Sequence, residues 1–268
     1  MIAMNHTDRK FFVVFLQLTI LLAAASCSAQ QRSSFASPDA VKKLLLGEDA
    51  RAVGRLSVHL GLRAAVTGSA CSSFEQANLL PVQLSGKASS QLLILHAPLC
   101  ETVFLLPFSR QGQRWRTLPP LAFSSRYNPP QLRLKKLLSR EEEFLLVEHL
   151  TVDGGSGVQQ RNCQIYRLTP GGLQLVFNQP ESLHVTVPLG HGAAVWEEEQ
   201  TSVFDFFRAP AAAPASIREK RTTRCNGQSL TVYRSYLWDN SLGSYLMLGA
   251  GPAEVTAPTT PPPSPAGQ

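Results

Sequence analysis

The chain has 268 residues, 44% hydrophobic and 16% charged, with Pro and Gly at ordinary levels, which excludes both a disordered composition and a membrane-embedded one. Its formal net charge is +6 and its pI about 9.2, but the basic residues are dispersed among Arg110, Arg114 and Arg116, then Arg133, Lys135 and Lys136, then Arg218, Lys220, Arg221 and Arg224. A nucleic-acid binder carries a denser stripe with aromatics between the cations, so no nucleic-acid partner is expected; a surplus of this size serves solubility and suits an anionic lipid or polymer.

The N-terminus sets the compartment. Asp8-Arg9-Lys10 precedes an apolar run from Phe11 to Ala25, broken only by Gln17 and Thr19, and small residues follow. The run is shorter than the roughly 20 residues that cross a bilayer, and a basic start, a short apolar stretch and small residues together make a secretory leader. We expect residues 1–29 to be a signal peptide. Two processing routes are open at Ala24-Ala25-Ser26-Cys27-Ser28-Ala29-Gln30. Ala25-Ser26-Cys27 resembles the end of a bacterial lipobox, which implies a lipid on Cys27 and makes that residue the only membrane attachment expected. Ala24 stands where that motif usually has Leu. The other route is cleavage after Ala25 or Ala29, both preceded by small residues.

Removing Cys27 leaves Cys71, Cys100, Cys163 and Cys225, an even set that reads as disulfides in an oxidising compartment. Three connectivities are possible. Shorter loops close at lower entropic cost, which favours Cys71–Cys100 and Cys163–Cys225. No C-x-x-C spacing is present and the histidines form no ligand set with the thiols, so no metal is expected.

Residues 30–36 read as a flexible spacer, 37–248 as one β-rich domain and 249–268 as a disordered proline-rich tail. Ser37-Pro38-Asp39 has a capping hydroxyl, a proline for the first helical position and a carboxylate for the positive end of the helix dipole, and Gly47 is a stop. A second short helix is expected from Glu48 to about Val53. Strands follow at 91–97 and 102–108, then at 115–118 after the Gln111-Gly112-Gln113 turn. A second group occupies 144–152, 162–168 and 173–177, with Thr169-Pro170-Gly171-Gly172 as a turn, and further runs lie at 230–236 and 243–248. Leu92 to His96 aligns with Leu145 to His149, and Val103 to Leu106 with Ile165 to Leu168. The expected fold is therefore mainly β, antiparallel hairpins and meanders of a propeller-like or sandwich kind, with one or two short N-terminal helices. Ala209 to Ser216 reads as a linker.

No motif carries a defined chemistry. The Asp153-Gly154-Gly155-Ser156-Gly157 loop has one acidic residue where a calcium loop has several, and its Ser156 lacks the G-x-S-x-G frame. Carboxylates cluster at 141–143 and 197–199, and nothing in the sequence pairs any two across a bond as a glycosidase requires. Trp115, Trp196, Trp238 and Tyr236 are the candidates for a sugar-stacking face, with burial as the rival role. His149 beside Glu148 points to the opposite side of a strand. We assign no catalytic residue, cofactor or metal ligand. The sequence supports an exported, envelope-associated, non-enzymatic module that binds a protein or polysaccharide; the alternative is a periplasmic or secreted hydrolase, favoured by a pocket joining two carboxylates.

Overall fold

The computed structural model describes residues 34–83, 90–139, 142–153, 157–188, 195–207, 214–225, 228–251 and 253–256. Residues 1–33, with the expected leader and Cys27, lie outside them, as do residues 154–156 of the glycine loop and most of the expected 209–216 linker. Among the described residues no helix is long and apolar enough to cross a membrane.

Helix α1 spans Pro38–Leu45 and starts as its sequence dictates: Ser37 Oγ accepts from Ala40 N at 3.1 Å, and Val41 and Leu45 are buried. Helix α2 spans Ala50–Leu60. Asp49 caps it, accepting from Arg51 N at 2.9 Å and Ala52 N at 3.1 Å. It runs past the expected end at Val53, because Val53, Ser57 and Leu60 keep one buried face at helical spacing. Gly61 then ends it in the left-handed conformation at φ 72°.

The first sheet contains β1 (Ser34–Phe35), β2 (Gln76–Val82), β3 (Ser90–Ala97), β4 (Thr102–Gln111), β5 (Arg114–Thr117) and β6 (Leu121–Ser124). Their order is β1-β5-β4-β3-β2, with β6 also paired to β4, and every pairing is antiparallel. Strand β1 falls in the segment expected to be spacer; Phe35 packs on the same apolar seam as Trp115, opposite it in register.

The second sheet contains β7 (Gln131–Lys135), β8 (Phe144–Asp153), β9 (Val158–Thr169), β10 (Gly172–Pro188), β11 (Val195–Phe207), β12 (Ser216–Cys225), β13 (Gln228–Asp239) and β14 (Ser244–Ala250), paired antiparallel in chain order. Strand β15 (Glu254–Thr256) pairs with β13, so order continues into the segment expected to be a disordered tail. Strand β10 is irregular at Val176 and Glu181, and β11 joins it only after the second irregularity, from Ser182 onward. The first half of β10 therefore stays with β8 and β9, while the last residues of β11 pair with β12 alone. The sheet divides into a lower leaf, β7 to β10, and an upper leaf, β11 to β14.

Three apolar seams join the layers. Val41, Leu45, Val53 and Leu60 of the helices meet Leu93, Leu95, Phe104 and Leu106 of the first sheet. Leu92, Ile94, Val103 and Leu105 on its other face meet Leu145, Val147, Tyr166 and Leu168 of the lower leaf. Phe144, Leu146, Ile165 and Phe177 then meet Ile217, Tyr236 and Tyr245 of the upper leaf. The architecture is mainly β and sandwich-like, as expected, built from stacked sheets rather than propeller blades. The two aligned segments, at Leu92 and Leu145, face one another across the middle seam.

Cys71 and Cys100 form a disulfide with Cα atoms 6.2 Å apart, as read from the sequence. It joins the segment after α2 to the turn after β3, and such a bond belongs to an oxidising compartment. Closing a span of 29 residues stabilises by about 3.5 kcal/mol on the chain-entropy model. The Cys71→Ala/Cys100→Ala protein should lose about that much in urea unfolding; a loss below about 1 kcal/mol would refute a stabilising role.

The expected Cys163–Cys225 bond does not form: both thiols are free. Cys163 is opposite Gln179 on β10, whereas Cys225 is opposite Glu198, which is opposite Val185 on β10. Six residues of strand separate those rows, about 20 Å at 3.3 Å each. Loop-closure entropy favoured the pair, but strand register places its members apart.

Candidate functional site

A wide opening lies where β2 ends, β3 begins and β4 turns into β5. It is a cleft of about 570 Å³, lined by Gln83, Gln91, Arg110, Trp115, Lys136 and Glu143 with Pro81, Val82 and Ser90. Hairpin register sets most of this. Arg110 and Trp115 face each other across the β4–β5 pair, and Pro81 faces Gln91 across β2–β3. Trp115 is half-buried, with one side packed on the helix-facing seam. Arg110 and Lys136 are exposed, and Arg110 Nε donates to Gly112 O at 3.2 Å. Glu143 is already engaged: its Oε2 accepts from Gln83 N at 2.8 Å and its own N donates to Gln83 O at 2.9 Å. That clasp fixes the approach to β8 against the end of β2 and leaves the cations and the indole facing the opening.

A second polar assembly runs between the leaves of the other sheet. Glu219, with its side chain shut off from solvent, accepts from Ser202 Oγ at 2.8 Å, Arg221 Nε at 2.7 Å and Tyr236 Oη at 2.6 Å, with Arg234 Nη1 at 3.9 Å. Arg221 Nη2 also donates to Gln179 Oε1 at 3.2 Å, linking upper leaf to lower. Burial, and then the Glu219 carboxylate, raise the Tyr236 phenol to about 12. Register continues the row from Gln179 to Cys163 and Glu148. Burial, followed by the charges of Glu181 and Glu148, pushes the Cys163 thiol up to about 12, which makes it a poor nucleophile.

Glu181, at the second irregularity of β10, has its carboxyl pKa raised by burial and then by Glu148, and its Oε2 has no hydrogen-bond partner among the described residues. Glu148 is held by Arg133 at 3.3 Å and lines a pocket of about 200 Å³ with Gln131, Leu150 and Arg161. A carboxyl whose folded pKa is raised opposes folding once pH passes its unfolded value, and the cost is complete above the folded one. Glu181→Gln should therefore unfold at a higher temperature than the parent at pH 7, with the gap closing as pH falls toward 4. A gap that widens on acidification would refute this.

The candidate residues named from the sequence scatter. The structure does not gather the aromatics proposed as one face: Trp115 lines the cleft above, Tyr236 is buried at the floor of a separate opening of about 300 Å³ with Phe177 and Tyr245, and Trp238 packs edge-on against Phe144 and Tyr245 between the leaves. The side chain of Trp196 lies outside the described residues. His149 does point away from Glu148, stacking edge-on to Phe123 at 5.2 Å, with burial lowering its pKa. Gln83, Gln91 and Glu181 escaped the sequence reading; nothing local distinguishes them from surface residues. Among the described residues, no cluster of three or more His, Cys, Asp or Glu side chains is arranged to hold a metal. Comparison with known proteins adds no relative: no family model, curated protein or solved structure matches the chain.

Proposed function

We propose that the chain is an exported, envelope-associated binding module without catalytic activity, whose partner is a polysaccharide held at the Trp115 cleft. The carrying observation is the cleft itself: an indole, two cations and two amide side chains open to solvent, with the single lining carboxylate tied to backbone. An indole face stacks on a sugar ring, and amides and cations bond its hydroxyl and acid groups. The leader and the Cys71–Cys100 bond are consistent with export. The test is co-sedimentation of the full chain with purified envelope polysaccharide, parent against Trp115→Ala and Gln91→Ala. Parent pelleting that both variants lose supports the reading. An unbound parent, or variants that pellet undiminished, refutes it.

One observation favours a hydrolase as a second reading. Glu181 has a raised carboxyl pKa while its neighbour Glu148 is paired to Arg133, the environmental asymmetry that separates acid from base in carboxylate catalysis. Release of reducing ends from a polysaccharide, abolished in Glu181→Gln, would establish it over the binding reading.

A further inference from the structure

Resting on the binding reading above, we infer that the cleft selects an anionic saccharide: a pyranose ring stacked on Trp115 with its carboxylate or sulfate between Arg110 and Lys136. Both cations are exposed and neither has a salt-bridge partner among the described residues, in a cleft whose one carboxylate is occupied by the backbone amide of Gln83. The lining therefore presents uncompensated positive charge beside an aromatic face, and a neutral sugar would leave that charge unused. A second observation points the same way. Ser90, which lines the cleft, stands in one cross-strand row with Ser109 and Arg116. Nε and Nη2 of Arg116 are buried without a hydrogen-bond partner among the described residues. Guanidinium donors that meet no acceptor among the described residues add further positive charge to the strand row that ends at Ser90 in the cleft. The polar amides Gln83 and Gln91 at the rim supply both donors and acceptors for ring hydroxyls.

The experiment is calorimetric titration of the full chain with polygalacturonate and, separately, with dextran, at two salt concentrations. The inference expects polygalacturonate to bind, dextran not to bind, and affinity to fall with salt. Arg110→Gln and Lys136→Gln should each weaken polygalacturonate by about ten-fold, the loss expected for one charge-assisted contact. Trp115 also packs on the core, so Trp115→Ala is read only if it unfolds with the parent; exposed Lys136 decides the matter otherwise. Equal binding of both polymers overturns the anionic selectivity while leaving the binding module standing. Polygalacturonate binding that neither cation variant weakens overturns the assignment to this cleft. Failure to bind either probe overturns the anionic class, and envelope co-sedimentation of the parent then shows whether the broader reading survives.

Discussion

Glu219→Ala is expected to destabilise the protein by about 3–5 kcal/mol, because removing one member of a buried charged network strands the rest. Ser202, Arg221 and Tyr236 all donate to this carboxylate, and the Arg221 side chain is only 14% exposed. In the variant the guanidinium keeps its bond to Gln179 and loses its counter-charge between the leaves. Chemical denaturation of the two proteins measures the difference. A useful contrast is Arg224, whose 3.7 Å pair with Glu199 lies among side chains more than half exposed. Arg224→Ala should cost about 0–1 kcal/mol. If the two substitutions prove equally mild, the polar row between the leaves is solvated and the layered description of this region is wrong.

The second large effect is expected at Phe177. Its ring is 4% exposed and meets Tyr236 at 5.1 Å, Phe204 at 5.6 Å and Tyr245 at 6.2 Å, all edge to face. These contacts hold β10 of the lower leaf against three strands of the upper one. Phe177→Ala removes the ring and leaves a cavity that three aromatics cannot collapse into, at a cost of about 3–5 kcal/mol. Phe177→Leu keeps most of the volume and should cost less than half of that. The measurement is again equilibrium unfolding, and a loss below about 1 kcal/mol for the alanine variant would mean that the seam is loosely packed.

The elements visible in the sequence are those whose residues advertise their surroundings. Strands β3, β4 and β8 are buried on both faces and so appear as unbroken apolar runs, Leu92 to Leu95 and Leu145 to Val147 among them. Helix α1 is readable from Ser37, Pro38 and Asp39 because capping is a local interaction. Strands β11 and β12 are hidden. In β12, Ile217 is the only apolar side chain of the buried set, with Glu219 behind it, so the segment passes for a solvated charge cluster. Glu219 is tolerable there because Arg221 of its own strand, Ser202 of β11 and Tyr236 of β13 donate to it, and the last two stand beside it only once the hairpins on either side have formed. The cleft is illegible for the same reason: Gln83, Gln91, Arg110 and Lys136 converge through strand ends that no spacing rule links. The cysteines show both sides. Cys71 and Cys100 come together as loop length predicts, whereas register, a property of the whole sheet, separates Cys163 from Cys225.

The order of strands has a kinetic consequence. From β7 to β14 each strand pairs with the next one in the chain, so the second sheet can zip up hairpin by hairpin, each closure spanning a short loop. The first sheet is different: β1 must find β5, with Ser34 opposite Arg116, before its edge is complete. That search crosses most of the first half of the polypeptide and comes late on topological grounds. A chain threaded out amino end first would therefore present its opening strand well before the residues that receive it exist in folded form, and that edge would stay open until β5 had followed it out.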